Sequence, residues 1–186
     1  MDKRILDIGC GPYKIKWATW LDSIKMKWVD IVHNLEKYPY PIKDSTFDEI
    51  HGQHIIEHIK DLIPFMQELC RIAKPWARII FRAPHASCSY SSRSDPTHIR
   101  PFTTQTFKYF EDDNMWAYYS NTRIRVIKTK LHYICYNGER WSRVPKFLHR
   151  FLTWLANLNH LFCERVWAWW FGWFEEVYIE LLVTKK

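Results

Sequence analysis

Two stretches concentrate side chains that can move a proton or hold an ion. His54-Ile55-Ile56-Glu57-His58 spells H-x-x-E-H, the inverted zincin pattern, in which two histidines bind zinc and the glutamate serves as a base. His51 stands one helical turn before it. Such a spelling identifies a metal centre only when its structural context agrees. The second stretch is polar: Pro84-His85, then Asp95-Pro96-Thr97-His98-Ile99-Arg100-Pro101. Histidine titrates near neutrality, so His98 first and His85 second are candidate general bases, with His58 a third.

A different chemistry is offered near the start. Asp7-Ile8-Gly9-Cys10-Gly11 follows a short apolar run. Glycines let a backbone turn sharply and approach a ligand where a β-carbon would collide. The carboxyl ends of parallel strands are where α/β sheets hold ligands. Asp7 can accept hydrogen bonds from loop amides or, through water, from a ligand ammonium.

Leu6 to Gly11, L-D-I-G-C-G, resembles the first motif of class I S-adenosylmethionine-dependent methyltransferases, and further blocks follow in order. Leu21-Asp22 ends a second strand, where the resemblance implies an acid on the ribose hydroxyls. His33-Asn34-Leu35 with Tyr38 to Ile42 resembles the segment whose acid meets the adenine amine. Phe47-Asp48-Glu49-Ile50 leading to Ile55-Ile56-Glu57-His58-Ile59 resembles the F-D-x-I and L-E-H-I blocks of the type 11 subfamily. Leu69 to Pro75 resembles the same subfamily's R-x-L-K-P-G-G helix end. The resemblance is strong over about residues 4 to 110 and weak over Glu180 to Val183. It implies S-adenosyl-L-methionine as cofactor, with Asp7, Gly9, Cys10, Gly11, Asp22, Asn34 and Leu35 around it. His51, His54 and Glu57 would lie beside them, with Glu57 and His58 lining the cofactor mouth. With the H-x-x-E-H stretch absorbed by the E-H block, no metal is expected.

Three departures stand out. Only eleven positions separate Gly11 from Asp22, so the helix usual after the first loop has little room. Asn34 replaces an acid; its side-chain oxygen still accepts but carries no charge. The third is tryptophan: the chain has 11 Trp and 5 Gly, whereas average usage would give roughly 13 Gly. Trp76 occupies the turn after Lys74-Pro75 where the family has glycine, Trp20 precedes Asp22 by two, and Trp17 and Trp28 hold turn-like sites. Bulky residues resist positive φ. These four positions suggest UGA codons that the source organism reads as glycine.

The elements that must position these residues follow from periodicity. Arg4 to Ile8, Ala18 to Asp22, Val29 to Val32, Phe47 to Ile50 and Arg78 to Phe81 read as strands. A helix runs from Asp61, its cap, to Lys74, with Leu62, Met66, Leu69 and Ala73 on one face and Pro75 as its stop. Ala83 to Pro101 reads as loop, Thr104 to Phe110 as a short helix, Arg123 to Tyr136 as a long strand, and Val177 to Val183 as the last. Phe147, Phe151, Trp154 or Leu155, Leu158 and Phe162 mark one amphipathic helix, read as a lid or core cover. The fold class is therefore α/β, a Rossmann-like methyltransferase three-layer sandwich with an antiparallel last strand. One domain, 1–186, has a cofactor-binding core at 1–110 and C-terminal strands at 111–186, with a helical lid at about 144–174.

Composition limits the remaining classes. Hydrophobic content of 47% and charged content of 25% suit a globular chain. A net charge of +7, much of it between Arg123 and Arg150, favours anionic encounters. Nucleic acid is an unfavoured partner, since Gly52-Gln53-His54 stands where an N-P-P-Y-like motif would follow the fourth strand. Five scattered cysteines without C-x-x-C point to reduced thiols and a cytoplasmic setting. Met1 runs straight into a strand pattern, so no leader is expected. Phe147 to Phe174 is interrupted by charge and falls short of a membrane span, although Lys146 and Arg150 leave peripheral membrane contact open. The acceptor is expected to be a small molecule or a sugar- or lipid-linked metabolite. A degenerate binding protein and an RNA methyltransferase are the rival readings.

Overall fold

Leu6 and Ile8 are fully buried in β1, Ile5–Ile8, a strand apolar on both faces as a central parallel strand must be. In the computed structural model, which describes residues 3–12, 14–115, 117–133, 146–170 and 174–184, β1 pairs in parallel with β2, Thr19–Asp22, and with β4, Phe47–Gln53. A short β3, Ile31–Val32, extends the sheet beyond β2. Beyond β4 lies β5, Ala73–Pro84. The remaining strands are β6, Ile124–His132, and β7, Glu176–Val183. The order is β3-β2-β1-β4-β5-β7-β6, and β7 runs antiparallel to both neighbours. This is the expected mostly parallel, Rossmann-like sheet with an antiparallel last strand.

The core lies along the sheet's faces: Leu21, Ile50, Ile79, Phe81, Val177 and Leu181 are wholly buried, each stabilising the fold by roughly 1.5–3 kcal/mol. Helix α1, Leu62–Ile72, covers it with Phe65, Met66, Leu69 and Ile72. Asp61 caps α1 as its sequence position foretells, accepting from the Ile63 N–H at 3.1 Å. Among the described residues no helix joins β1 to β2; turns fill the interval, as the short spacing requires.

Four local expectations are corrected. The strand after α1 begins at Ala73, not Arg78, because Ala73 already pairs with Phe47; the register then shifts before Glu49 meets Arg78. Pro75 and Trp76 lie in that bulge, Trp76 at φ 64°, so Pro75 does not itself stop the helix. The Ala83 to Pro101 loop loses its first two residues to β5 and contains α2, Ser89–Arg93. The last expected strand starts one residue early, at Glu176, and the β6 expectation past Tyr133, with Cys135, lies outside the described residues.

The fourth correction is larger. The amphipathic helix ends at Ala156 (α3, Lys146–Ala156) and does not reach Phe162. Asn157 is the cause: its side chain accepts from Leu131 N–H at 2.9 Å and donates to Leu131 C=O at 2.8 Å, pairing with the outer edge of β6. Asn159 then caps a new helical segment, His160–Phe162, which passes through a π-type turn, Cys163–Trp167, to Ala168–Trp170. The stripe read as a core cover faces outward: Phe147, Phe151, Trp154, Leu158 and Phe162 are all exposed, Phe147 by 74%. The ends of the proposed lid, 144–145 and 171–173, and the basic residues Arg140 and Arg143 lie outside the described residues. No described helix is long and apolar enough to cross a membrane.

Candidate functional site

The turn after β1 is built on two left-handed residues, Gly9 at φ 60° and Gly11 at φ 48°. A β-carbon on Gly9 would meet the Ile55 side chain at 2.5 Å, whereas one on Gly11 would meet nothing within 4 Å. The first glycine thus lets the loop after β4 close in; the second leaves open space above the backbone. Asp22, at the end of β2, ties the turn down: Oδ2 accepts from Gly11 N–H at 3.0 Å and Oδ1 from Ile24 N–H at 3.0 Å. Asp7 is buried and accepts from Ile15 N–H at 2.7 Å, and burial pushes its carboxyl above the ordinary range. Burial, with Asp22 and Asp7 nearby, pushes the Cys10 thiol up to about 11, so Cys10 packs as a neutral group.

Trp20 and Trp28 brace the same turn. Trp20 Nε1 donates to Ile15 C=O at 2.8 Å and Trp28 Nε1 to Gly11 C=O at 3.1 Å. The Lys14 ammonium lies 3.8 Å from the Trp20 ring centroid.

Asn34 lies beyond β3, exposed, with Oδ1 accepting from Glu36 N–H at 2.9 Å. Leu35 beside it is buried and receives the Tyr40 hydroxyl on its carbonyl at 2.9 Å. His51 stands apart from these groups. It is opposite Asp7 in the β1–β4 register, but its Nε2 bonds Glu49 Oε1 at 2.6 Å, back toward the start of the strand. Glu49 in turn holds Arg78 and Lys3.

The H-x-x-E-H stretch does not form one helical face. His54 ends the β4 excursion at φ 50°, and only Ile56–His58 make a single 3₁₀ turn. His54 Nε2 lies 3.2 Å from Glu176 Oε2 and Nδ1 lies 3.4 Å from Glu57 Oε1. The carboxylates of Glu176, then Glu57, push His54 up to about 9, making it a cation at neutral pH. His58 turns the other way: its ring stacks edge-on against His98 at 4.8 Å, and its Nδ1 is 2.9 Å from Thr97 Oγ1. His98 Nε2 lies 3.8 Å from Asp95 Oδ2 and 4.0 Å from Glu57 Oε1. The Ile99 N–H donates to the Glu57 carbonyl at 2.8 Å, fastening the 94–103 loop over the β4 end.

His85, at the carboxyl end of β5, occupies a separate setting. It is 1% exposed. Nε2–H donates to Glu164 Oε1 at 3.0 Å while Nδ1 faces Ser87 Oγ at 2.8 Å and Ser87 N–H at 3.1 Å. Glu164 also accepts from Thr104 N–H and its hydroxyl. Burial pushes the Glu164 carboxyl up, but the bonds from His85 and Thr104 outweigh it and leave it below the ordinary range. His85, Ser87, Arg93, Thr103, Glu164 and Trp169 are among the walls of a cavity of about 300 Å³.

Sequence reasoning missed Glu164, Glu176, Ser87 and Thr97. Glu164 carries one signal in the sequence, a carboxylate inside an otherwise apolar helical run. Thr97 lies in the polar Asp95-to-Pro101 stretch, and Glu176 and Ser87 carry no signal.

Residues 1–134 match the model of a family described as a methyltransferase domain. No curated protein sequence matches the chain. Among solved structures, an S-adenosylmethionine-dependent methyltransferase from Archaeoglobus fulgidus superposes with a TM-score of 0.60 at 18% identity, covering 97% of this chain and 86% of that one. The YcgJ protein of Bacillus subtilis gives 0.57 at 15% identity, covering 100% and 93%. The [4+2]-cyclase SpnF also gives 0.57, at 14% identity, covering 99% and 75%. At these identities the likeness is one of fold, and SpnF's name shows that the fold alone does not fix a reaction.

Proposed function

The chain belongs to the methyltransferase-domain family, and from that premise we propose that it carries the methyl group of S-adenosyl-L-methionine to a small-molecule or sugar- or lipid-linked acceptor. It is a Rossmann-like S-adenosylmethionine-dependent methyltransferase; the acceptor class, the type 11 grouping, the cytoplasmic setting and the division of one 1–186 domain into core and lid are our reading. The observation that carries the reading is the Gly9-Cys10-Gly11 turn, left-handed at both glycines and bonded to Asp22 at the carboxyl ends of adjacent parallel strands.

The residues fit the cofactor. Gly11 leaves open space where a β-carbon would stand, and Asp22, although it accepts two backbone bonds, keeps lone pairs for ribose hydroxyls. Leu35 and Asn34 would flank the adenine, with a neutral acceptor in place of a charge. Asp7 would act through the loop it holds, His54 and Glu57 would line the mouth, and His51, its Nε2 turned to Glu49, would lie beside them without touching the cofactor. The bound cofactor supplies an electrophilic methyl on sulfur; the chain must orient the acceptor, exclude water and manage its proton.

His85 is poorly placed as a free base, since both ring nitrogens are engaged. Glu164 holds it as part of the cavity wall, and a volume of about 300 Å³ stands at the lower end of small-ligand pockets. We place the acceptor's reacting atom beside Glu57, His58 and His98, the cluster that would promote loss of its proton. The exposed apolar band on α3 supports a lipid-linked acceptor.

Calorimetric titration with S-adenosylmethionine and its demethylated product tests this reading, followed by an acceptor screen. Folded protein that binds neither would overturn it. One observation favours the degenerate binding protein: Asn34, bonded to Glu36 N–H, offers a neutral acceptor where the family pattern has an acid. Product binding without turnover of any acceptor would support that alternative.

A further inference from the structure

Glu57 is 1% exposed, yet neither carboxylate oxygen has a hydrogen-bond partner among the described residues. A carboxylate taken out of water without partners is costly, and buried charges are normally paired or bound to metal. The nearest cationic group, His54, is shared with Glu176 and reaches Glu57 only at 3.4 Å, without hydrogen-bond geometry. His98 Nδ1 is likewise buried without a partner among the described residues. The other ring nitrogen of His98, Nε2, faces Glu57 Oε1 at 4.0 Å, so two groups of complementary ligand type stand side by side.

The third member is prepared by its neighbours. Thr97 spends its hydroxyl proton on Asp95 Oδ1 at 2.6 Å, so its oxygen accepts from His58 Nδ1–H at 2.9 Å. That bond fixes the tautomer and leaves His58 Nε2 with its lone pair free, the support that ligating histidines receive from a second acceptor. One donor atom from each of Glu57, His58 and His98 lies within 4.8 Å of the others.

We propose that Glu57, His58 and His98 form a binding site for a divalent transition-metal ion. Two imidazoles and one carboxylate favour zinc, cobalt or iron over magnesium or calcium, whose preferred ligands are all oxygen. Ligands at 2.0–2.2 Å around a tetrahedral ion stand about 3.3–3.6 Å apart, so closure requires the donors to converge by at most about 1.5 Å. The spelling H-x-x-E-H is half used: Glu57 and His58 serve, His54 is diverted to Glu176, and His98 arrives from a loop forty residues on. Three protein ligands leave coordination positions open, as in catalytic zinc sites. An acceptor bearing a hydroxyl or carboxylate oxygen is the class that would occupy them; the ion would acidify a hydroxyl there, whose proton would pass to solvent as its oxygen takes the methyl. That use rests on the methyltransferase reading, whereas ion binding does not.

The test is titration of chelator-treated full-length protein with Co²⁺, followed by visible absorption and calorimetry, with Zn²⁺ as competitor. One ion per chain with ligand-field bands is expected. Glu57→Gln and His98→Gln should each weaken binding at least tenfold, Thr97→Val less, and His160→Ala, remote from the cluster, not at all. Circular dichroism and binding of the demethylated cofactor product, measured on the same samples, report folding and the cofactor site separately. Folded wild type without saturable Co²⁺ uptake, or uptake unchanged in Glu57→Gln, would overturn the site. Co²⁺ uptake without product binding supports the metal site and counts against the cofactor reading alone.

Discussion

Asp22 Oδ2 accepts the backbone N–H of Gly11 at 3.0 Å, joining the end of β2 to the turn that follows β1. Asp22→Ala removes that acceptor, the bond to Ile24 N–H and the proposed ribose contact together. Hydrogen bonds to charged groups are worth about 1.5–3 kcal/mol, so affinity for S-adenosylmethionine should fall at least about tenfold. Asp22→Asn keeps one oxygen and should lose less. Calorimetry of the two variants checks the order; equal affinity for wild type and Asp22→Ala would remove Asp22 from the site.

Trp17 and Trp76 adopt φ values of 67° and 64° and are 93% and 65% exposed. They gain little from burial while holding a conformation that costs side-chain-bearing residues about 1–2 kcal/mol. Trp76→Gly and Trp17→Gly should therefore each raise stability by about 1 kcal/mol, seen as a melting-temperature rise of roughly 2–4 °C. Trp20 and Trp28 are absent from the positive-φ residues and donate indole hydrogen bonds, so Trp20→Gly should lower stability. The structure thus supports the glycine reading at 17 and 76 by backbone geometry and withholds that support at 20 and 28. UGA codons at 17 and 76 in the gene are the expected sequencing result; UGG at both would end the proposal.

What was legible in the sequence was local. Gly9 and Gly11 punctuate β1, Asp61 precedes an apolar period of α1, and the β1-to-β4 run alternates strands with turns. Each of these depends on neighbours within a few positions; the turn and the cap stand where the sequence put them, while β3 is shorter and β5 starts earlier than the expected strands. What escaped was set by partners far along the chain. His54 meets Glu176 across 122 positions and His85 meets Glu164 across 79; no spacing encodes either pair. The α3 boundary failed for the same reason, since Asn157 leaves a helical pattern to pair with Leu131 on the β6 edge.

Glu164 is held by His85 and Thr104 with its carboxyl below its ordinary value of 4.5. A group with a depressed folded pKa contributes stability that is present above the unfolded value and lost as pH falls through the folded one. Wild type should therefore weaken progressively below about pH 4.5. Glu164→Gln should be less stable near pH 7 by about 1–3 kcal/mol, with a flatter acid limb. Denaturant titrations between pH 3 and 7 measure both, and parallel profiles for the two proteins would refute the coupling.

Phe147, Phe151 and Trp154 recur at i, i+4 and i+7 on α3 and are 74%, 52% and 58% exposed, with exposed Arg150 among them. Beyond the helix break Leu158, Phe162 and Arg165 are exposed as well. Water-facing apolar stripes of this extent mark interaction surfaces, and arginine beside aromatic side chains fits the interface of an anionic bilayer. The protein should co-sediment with phosphatidylserine-containing vesicles, less with purely zwitterionic ones, and less again as salt rises. Phe151→Asp withdraws an aromatic worth roughly 1.5–3 kcal/mol of burial and adds repulsion, so binding should drop at least about tenfold. Because Phe151 is half exposed and outside the sheet's core, the variant should fold and still bind the demethylated cofactor product. Equal sedimentation of wild type and Phe151→Asp would assign the band to a protein partner or a second copy of the chain instead of a lipid surface.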